Sequence, residues 1–387
     1  MKSSLLKCVL TAALLAVLNH PFTTGYAQGS LTPPGPPAPS MKSLDQIEPR
    51  TIVNAANTPG DAGDVFIIRQ PGSYYLTTNL IASGNQNGIT IKTNNVTLDL
   101  NGFTVQSLST NINISGIYLP PGNVANLTVR NGTIVSWGGN GTGDGSGVFA
   151  PSDVSQNLVF EHLNISGCGY GIQLSGPGVV RDCNVVGCIK NGISLNYEVP
   201  DQVIQKSIVS GCMANDNGWN GIYATGIISG CTANDNGVDG IEGDKATISG
   251  CTTSYNTGNG LRIFNRCSVS ACVSDDNVSA GILVEEDSNQ ITGNQCSGND
   301  AIDTAIAGID VEGANNRIED NHVTQSAGSG IYVNGDSVNG VFNLIIKNSV
   351  SGNGTNDYSI HGTQIVGPVI TATGTITSTS PWANFAF

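Results

Sequence analysis

The sequence predicts an all-β fold, a single-stranded right-handed parallel β-helix (solenoid) of about 12 coils with an N-terminal and a C-terminal cap. Three observations predict it: a glycine followed by an aliphatic residue recurs along the chain, apolar and polar residues alternate after it, and no convincing helical period of 3.6 residues occurs beyond residue 27. The aliphatic residues of the repeat are Ile89, Ile117, Val148, Ile172, Ile193, Ile222, Ile241, Leu261, Ile282, Ile309 and Ile331.

The spacing of the repeat is typical of a β-helix coil. Its minimum is about 20 residues, with longer spacings between some copies, and insertions in a solenoid collect in the loops. The clearest copies begin at Cys212, Cys231 and Cys251 and run CMANDNGWNGI, CTANDNGVDGI and CTTSYNTGNGL. Leucine-rich repeats of this length need a leucine consensus that is missing here, and propeller units are longer.

The N-terminus has the three parts of a secretory signal peptide. Lys2 and Lys7 precede an apolar run from Val9 to Leu18, and Gly-Tyr-Ala at 25–27 forms a cleavage site. The apolar run has about half of the roughly 20 residues that a membrane span needs. We therefore expect residues 1–27 to be removed and the protein to be secreted, or held at the cell surface or in the periplasm, without a membrane span.

The remaining chain divides into four segments. Residues 28–43 are rich in proline and predict an extended linker. Residues 44–80 are predicted to be the N-terminal cap, 81–370 the β-helix, and 371–387 the C-terminal cap. Caps are expected because a parallel stack exposes unpaired strand edges at both ends.

The charge balance limits the partners of the protein. The chain has 15 basic and 29 acidic residues and a formal net charge of −14, which excludes nucleic acid as an expected partner. An acidic surface also repels polyanionic sugars unless a divalent cation bridges them.

Cysteines and asparagines recur at fixed places in the repeat. We expect one buried column of reduced thiols, each just after the second strand of a coil. Its members are Cys168, Cys188, Cys212, Cys231, Cys251, Cys272 and Cys296. Paired Cys-x-x-Cys ligands are absent, so packing is favoured over metal or redox chemistry. Asn217, Asn236, Asn256 and Asn277 predict a hydrogen-bonded amide ladder in a turn.

Several blocks of the chain resemble a known family. The runs QPGSYYLTTNL, ITIKTNNVTLDLNGFTV and NLTVRNGTIVSWGG, the later NGI coils and the terminal PWANF resemble exported right-handed parallel β-helix repeat proteins of bacteria, within the pectate-lyase-like superfamily. The superfamily includes polysaccharide lyases, pectin-type hydrolases, uronate epimerases and noncatalytic adhesins, so the resemblance implies a polysaccharide without choosing a reaction. Of the polygalacturonase-like blocks only Asp275-Asp276 and part of Gly-His-Gly at 361–362 occur, and the Asp-Pro-His-Asp block of alginate epimerases is absent.

Strand alternation predicts where ligands bind. If the aliphatic residue of each repeat points inward, the residues one and three positions after it point outward. Stacked over successive coils, they form two outward columns on one sheet. The first column is Tyr223, Glu242, Arg262, Leu283, Asp310 and Tyr332, and the second is Thr225, Asp244, Phe264, Glu285, Glu312 and Asn334.

The predicted site is drawn from these columns. The predicted catalytic residues are Glu242, Asp244, Arg262, Asp310 and Glu312, and the predicted substrate-binding residues are Tyr223, Phe264, Glu285 and Tyr332. Carboxylates on alternate residues of a strand are about 6.5–7 Å apart along the backbone, which suits glycosidase chemistry or two oxygen ligands for calcium. Arg262 would neutralise a sugar carboxylate or act as the base of an elimination, and the tyrosines would stack on sugar rings.

Three functions of this face stay open. The first is a groove that binds a polysaccharide or cell-surface glycan. The second is the active site of a polysaccharide lyase or glycoside hydrolase for a neutral or calcium-bridged glycan. The third is an acidic surface that keeps the sheet soluble. Binding is the function we favour over catalysis. It requires no cofactor, and calcium remains an option.

Overall fold

The computed structural model describes residues 49–110, 113–138, 144–152, 154–195, 207–299, 307–334, 341–371 and 374–387. The predicted signal peptide (1–27), the linker (28–43) and the start of the predicted N-terminal cap lie outside the described residues.

The described residues form short strands joined by turns and contain no helix. The strands are β1 (Thr51–Ile52), β2 (Asp64–Ile68), β3 (Gly72–Tyr75), β4 (Leu80–Ala82), β5 (Asn87–Ile91), β6 (Val96–Asp99), β7 (Thr104–Ser107), β8 (Ile117–Tyr118), β9 (Ala125–Val135), β10 (Ser146–Ala150), β11 (Gln156–Ser166), β12 (Tyr170–Leu174), β13 (Gly178–Arg181), β14 (Asn184–Val186), β15 (Ile193–Leu195), β16 (Ser207–Ser210), β17 (Met213–Asn215), β18 (Ile222–Ser229), β19 (Ile241–Ser249), β20 (Thr252–Ser254), β21 (Leu261–Ile263), β22 (Ser268–Ser270), β23 (Val273–Asp275), β24 (Ile282–Val284), β25 (Gln290–Thr292), β26 (Gln295–Ser297), β27 (Ala307–Val311), β28 (Arg317–Glu319), β29 (His322–Thr324), β30 (Ser329–Val333), β31 (Leu344–Ile346), β32 (Ser349–Ser351), β33 (Tyr358–Ile360), β34 (Ile365–Val366), β35 (Val369–Ile370) and β36 (Asn384–Ala386).

The strands stack in parallel on three faces, which we call sheets A, B and C. Sheet A consists of β2, β5, β8, β10, β12, β15, β18, β19, β21, β24, β27, β30 and β33. Sheet B consists of β1, β3, β6, β9, β11, β13, β16, β18, β19, β22, β25, β28, β31 and β34. Sheet C consists of β4, β7, β9, β11, β14, β17, β20, β23, β26, β29, β32, β36 and β35.

The core lies inside the three sheets and consists of stacked aliphatic side chains. Ile172, Ile193, Ile222 and Ile241 pair in register on consecutive coils of sheet A and are fully buried. Like residues stack because each coil repeats the previous one about 4.8 Å away. The predicted parallel β-helix is therefore confirmed.

The predicted asparagine ladder occupies the corner between sheets C and A. The side-chain oxygen of Asn256 accepts hydrogen bonds of 2.9 Å from both the backbone N–H and the side-chain amide of Asn236. The Asn256 amide donates in turn to Asn277 and to the carbonyl of Ala233. The ladder satisfies buried backbone groups of successive coils, so the prediction that it is structural is confirmed.

The prediction of a single cysteine column is wrong. Cys183, Cys212, Cys231, Cys251 and Cys272 follow strands of sheet B, and Asn294 continues their column by accepting from the backbone N–H of Cys272. Cys168 and Cys188 belong to the C–A corner, where the backbone N–H of Cys188 donates to Asn217, and Cys296 lies within sheet C. The tripeptide Ser-Gly-Cys occurs at the end of a sheet C strand at 166–168 and at the end of a sheet B strand at 210–212. Only the pairing register distinguishes the two places.

All nine cysteines of the described residues are nevertheless buried and free of disulfides. Burial raises the pKa of Cys267 to about 11. A protonated, buried thiol acts as a small apolar side chain, which agrees with the expected packing role.

Both ends of the described chain pair with the coils next to them. At the N-terminal end, β2 and β3, which lie in the predicted cap, stack on β5 and β6. At the C-terminal end, β36 adds to sheet C beside β32. Asn384 there accepts hydrogen bonds from the backbone and side chain of Asn348, so the tail completes an asparagine ladder.

Candidate functional site

The outward residues of sheet A form one continuous column. The register confirms the predicted order from Tyr223 to Tyr332 and extends it toward the N-terminus. Consecutive members are Tyr118, Phe149, Gln173, Ser194, Tyr223, Glu242, Arg262, Leu283, Asp310 and Tyr332. At about 4.8 Å per coil, this column spans roughly 40 Å.

The second predicted column is also continuous. Thr225 pairs with Asp244. The other members are aligned by hydrogen bonds from their backbone N–H groups to the preceding coil. Phe264 donates to the carbonyl of Gly243, and each next coil repeats this bond with Glu285, Glu312 and Asn334 in turn.

The centre of the site is a guanidinium among carboxyl groups, which we call the Arg262 cluster: Asn220, Asp239, Glu242, Arg262, Phe264 and Glu285. Arg262 donates two hydrogen bonds, of 2.9 and 2.7 Å, to one oxygen of Glu285. Its Nη1 lies 3.9 Å from Asp239, and its guanidinium carbon lies 5.1 Å from the centre of the Phe264 ring. The structure thus brings four predicted site residues together: Glu242, Arg262, Phe264 and Glu285.

Two carboxyl groups of the Arg262 cluster have perturbed acidities. Burial raises the pKa of Asp239 and of Glu242 above their ordinary values, although Arg262 acts in the opposite direction. Asp239 accepts hydrogen bonds from the backbone and side chain of Asn259, and Glu242 accepts one from Asn220. Protonatable carboxyls beside a fixed cation are typical of functional sites.

Sequence reasoning missed Asp239. It precedes the repeat glycine rather than following it, so the alternation rule assigned it to no column. It is 2% exposed. An alignment of the residues before each glycine would have found it, because Asn220, Asp239 and Asn259 hydrogen-bond in series at that position.

The other predicted site residues lie around the Arg262 cluster, where Tyr223 pairs with Glu242, and Asp244 and Glu312 are neighbours of Phe264 and Glu285 in the second column. Asp244 is bound by the ammonium group of Lys245 at 2.8 Å. Leu283 separates Arg262 from Asp310 in the first column, so Asp310 lies two coils, or about 10 Å, from Arg262, and Tyr332 lies one coil further. Asp310 is buried, Glu312 is exposed, and the Tyr332 ring lies 5.2 Å from that of His361.

An acidic cavity borders the second column. Its volume is about 630 Å³, and Glu285, Glu286, Asp287 and Glu312 are among its lining residues. Within the ranges that the structure describes, no group of three or more His, Cys, Asp or Glu residues is arranged to hold a metal ion. Calcium binding therefore stays a prediction.

The early coils carry an aromatic region that sequence reasoning also missed. Tyr118 and Phe149 stack with ring centres 6.0 Å apart and planes 24° apart. Beside them, Tyr170 meets Trp219 edge to face at 6.2 Å, and the ammonium group of Lys190 lies 5.0 and 5.1 Å from these two rings. The patterns Gly-Ile-Tyr at 116–118 and Gly-Val-Phe at 147–149 match the later coils and would have revealed the two stacked rings.

A second cavity opens beside these rings. Its volume is about 310 Å³, and the residues that line it are Asn113, Ser115, Asp144, Phe149, Tyr170 and Gln173.

In the described part of the chain, no helix is long and apolar enough to cross a membrane.

Comparison with known proteins supports the fold. Residues 152–296 match the family model for a right-handed β-helix region. The A-modules of the Azotobacter vinelandii mannuronan C-5 epimerases AlgE4 and AlgE6 are similar structures, each with 17% sequence identity and a TM-score of 0.62. The match to AlgE4 covers 76% of this chain and 91% of that module, and the match to AlgE6 covers 81% and 89%. The Dettilon tailspike protein is 18% identical with a TM-score of 0.51, over 70% of this chain and 60% of its own. No curated protein matches the chain.

The chain therefore has the fold of a right-handed parallel β-helix. Identities below one fifth show this fold and leave the activity to be argued from the site.

Proposed function

We propose that the protein binds a polysaccharide or cell-surface glycan lengthwise along the outward column of sheet A. The continuous column of rings, amides and charged groups on consecutive strands carries the proposal. A polysaccharide is a linear polymer, and its successive units would meet the same column positions coil after coil.

The chemistry of the column suits sugars. Sugar recognition needs flat apolar surfaces flanked by fixed hydrogen-bonding groups. Phe149 and Tyr223 supply rings, Gln173 supplies an amide, and the Arg262 cluster supplies charged hydrogen-bonding groups. Two solved proteins of similar fold are named as epimerases of the polysaccharide mannuronan, which supports a polysaccharide as the class of ligand.

The proposed location is outside the cytoplasm, at the cell surface, in the periplasm or secreted. The signal peptide predicted at residues 1–27 supports this location. Glycans of cell walls and matrices are found in these compartments.

The test compares two matched charge pairs on different sheets. We expect replacement of Glu242 and Arg262 by alanine to weaken retention on immobilised polysaccharides about tenfold, since it removes the centre of the site. The control replaces Glu161 and Arg181, which pair across sheet B with an Nε–Oε2 distance of 2.7 Å. Circular dichroism checks that both variants stay folded. Equal retention by the two folded variants would contradict the proposal.

The Arg262 cluster favours a second candidate function, that of a polysaccharide lyase or glycoside hydrolase acting on a neutral or calcium-bridged glycan. The observation in its favour is the pair of carboxyls whose pKa burial raises, since a raised pKa favours the protonated form that a general acid needs. In this case Glu242→Gln would abolish the release of reducing ends or unsaturated products and keep glycan retention. Assays with added calcium and with a chelator would show whether the ion is needed.

A further inference from the structure

We propose that the cavity between Phe149 and Tyr170 is a subsite for an uncharged sugar unit, and that the glycan is neutral. We call this cavity the aromatic subsite. The inference rests on the proposed function and specifies its class of substrate. It places a major binding contact in the early coils, outside the site that the sequence predicts.

The aromatic subsite has the shape and lining of a sugar pocket. A volume of about 310 Å³ lies at the lower end of the range for small-molecule sites. Phe149 is half-buried and fixed by its stacking on Tyr118, so it offers a rigid apolar surface to one side of a pyranose ring.

The polar lining of the subsite is oriented before any ligand arrives. The hydroxyl of Ser146 donates to the side-chain oxygen of Gln173 at 3.1 Å. This bond sets the orientation of the Gln173 amide, whose nitrogen is then the atom that can donate to a sugar hydroxyl. Asn113 and Ser115 add an amide and a hydroxyl at the same cavity.

The charge of the subsite is already balanced. Lys190 is the cation beside Tyr170, and Asp144, which lines the cavity, forms an ion pair with it. The carboxylate of a uronate sugar would have to compete with Asp144 for this cation. A hydroxylated, uncharged sugar meets no such competition.

The rest of sheet A disfavours a polyanion even more strongly. Arg262 is hydrogen-bonded to Glu285 and Lys245 to Asp244. Carboxylates on or beside the two columns outnumber the four cations Lys92, Lys190, Lys245 and Arg262; they are Asp64, Asp144, Asp239, Glu242, Asp244, Glu285, Glu286, Asp287, Asp310 and Glu312. A surface of this sign repels a chain that carries one negative charge per sugar.

The experiment uses titration calorimetry of the full protein with hexasaccharides of glucose, mannose, galactose and mannuronate. We expect at least one neutral hexasaccharide to bind and mannuronate not to bind without calcium. Phe149→Ala should weaken neutral binding about tenfold or more, and Phe149→Tyr, which keeps the ring, should restore it. The matched control is Tyr75→Ala, which removes a half-buried ring from sheet B.

A second variant tests the charge argument separately. Asp144→Asn leaves Lys190 without its partner carboxylate and should raise the affinity for mannuronate several-fold at low salt. Mannuronate binding by the unaltered protein without calcium, or neutral binding unchanged by Phe149→Ala, would overturn the inference and leave the proposed function standing. If no glycan is retained at all, the proposed function fails and the inference with it.

Discussion

The early and late coils of the solenoid have the same backbone but different side chains at equivalent positions. In the outward column of sheet A, the early coils have Tyr118, Phe149 and Gln173, whereas the late coils have Glu242 and Arg262. The C–A corner differs in the same way, since Cys188 of the early coils aligns with Asn217, where the asparagine ladder of the late coils begins.

This difference shows that backbone and function are separable in the solenoid. The parallel hydrogen bonds and the buried aliphatic column hold each coil in place whatever its outward residue is. One end of sheet A can therefore be aromatic and the other charged without a change of fold. Exchange or removal of the side chains that differ between the two regions tests this separation.

The largest expected effect is on the corner that the regions share. Asn256→Ala leaves the buried backbone N–H of Asn236 and carbonyl of Ala233 without side-chain partners, which we expect to cost about 3–5 kcal/mol of unfolding free energy. Cys188→Ala removes only a packed thiol and should cost about 1 kcal/mol. Urea unfolding midpoints measure both. Equal shifts would show that the amide ladder is no more important to stability than the thiols.

The next effect comes from placing a late-type charge in an early coil. Gln173 is 8% exposed, so Gln173→Glu buries a carboxyl, and we expect a loss of about 1–3 kcal/mol at pH 7. Burial would raise the pKa of this new group in the folded state. The lost stability should therefore return as the pH falls through the raised folded-state pKa, and it should be fully restored below about 4.3, the ordinary glutamate value.

The control for this variant is Gln290→Glu, at an exposed position of sheet B. Unfolding midpoints from pH 4 to 8 should separate the two variants. A pH-independent loss in Gln173→Glu would mean that shape, and not charge, distinguishes the regions.

The smallest effect is the reverse exchange, Glu242→Gln. Burial raises the pKa of Glu242 above 4.5, so the folded state holds this proton more tightly than the unfolded state does. Stability that Glu242 contributes is therefore present at low pH and is lost as the pH rises through the raised pKa.

The glutamine variant lacks that loss. We expect it to be more stable than the unaltered protein at pH 7 by up to about 1 kcal/mol and equal to it below pH 4.5. Parallel unfolding curves over pH 4–8 provide the measurement. A variant less stable at pH 7 would mean that attraction to Arg262 outweighs burial at this site.

The sequence alone predicted the features that depend on neighbouring residues. Strand alternation follows from the backbone, so the inward and outward positions around Ile241 and Ile309 were assigned correctly. The asparagine ladder was found because Asn217, Asn236 and Asn256 recur at nearly constant spacing.

The tertiary structure decided everything that depends on which coil lies beside which. Cys168 and Cys212 both follow Ser-Gly but lie at different corners, and Asp239 joins Arg262 only because one coil stacks on the next. The repeat places Tyr118 and Phe149 after Ile117 and Val148 in the sequence, but that the two rings lie side by side appears only in the pairing register. Alternation is a property of one strand, whereas register, burial and the pKa values that follow from burial are properties of the stack of coils.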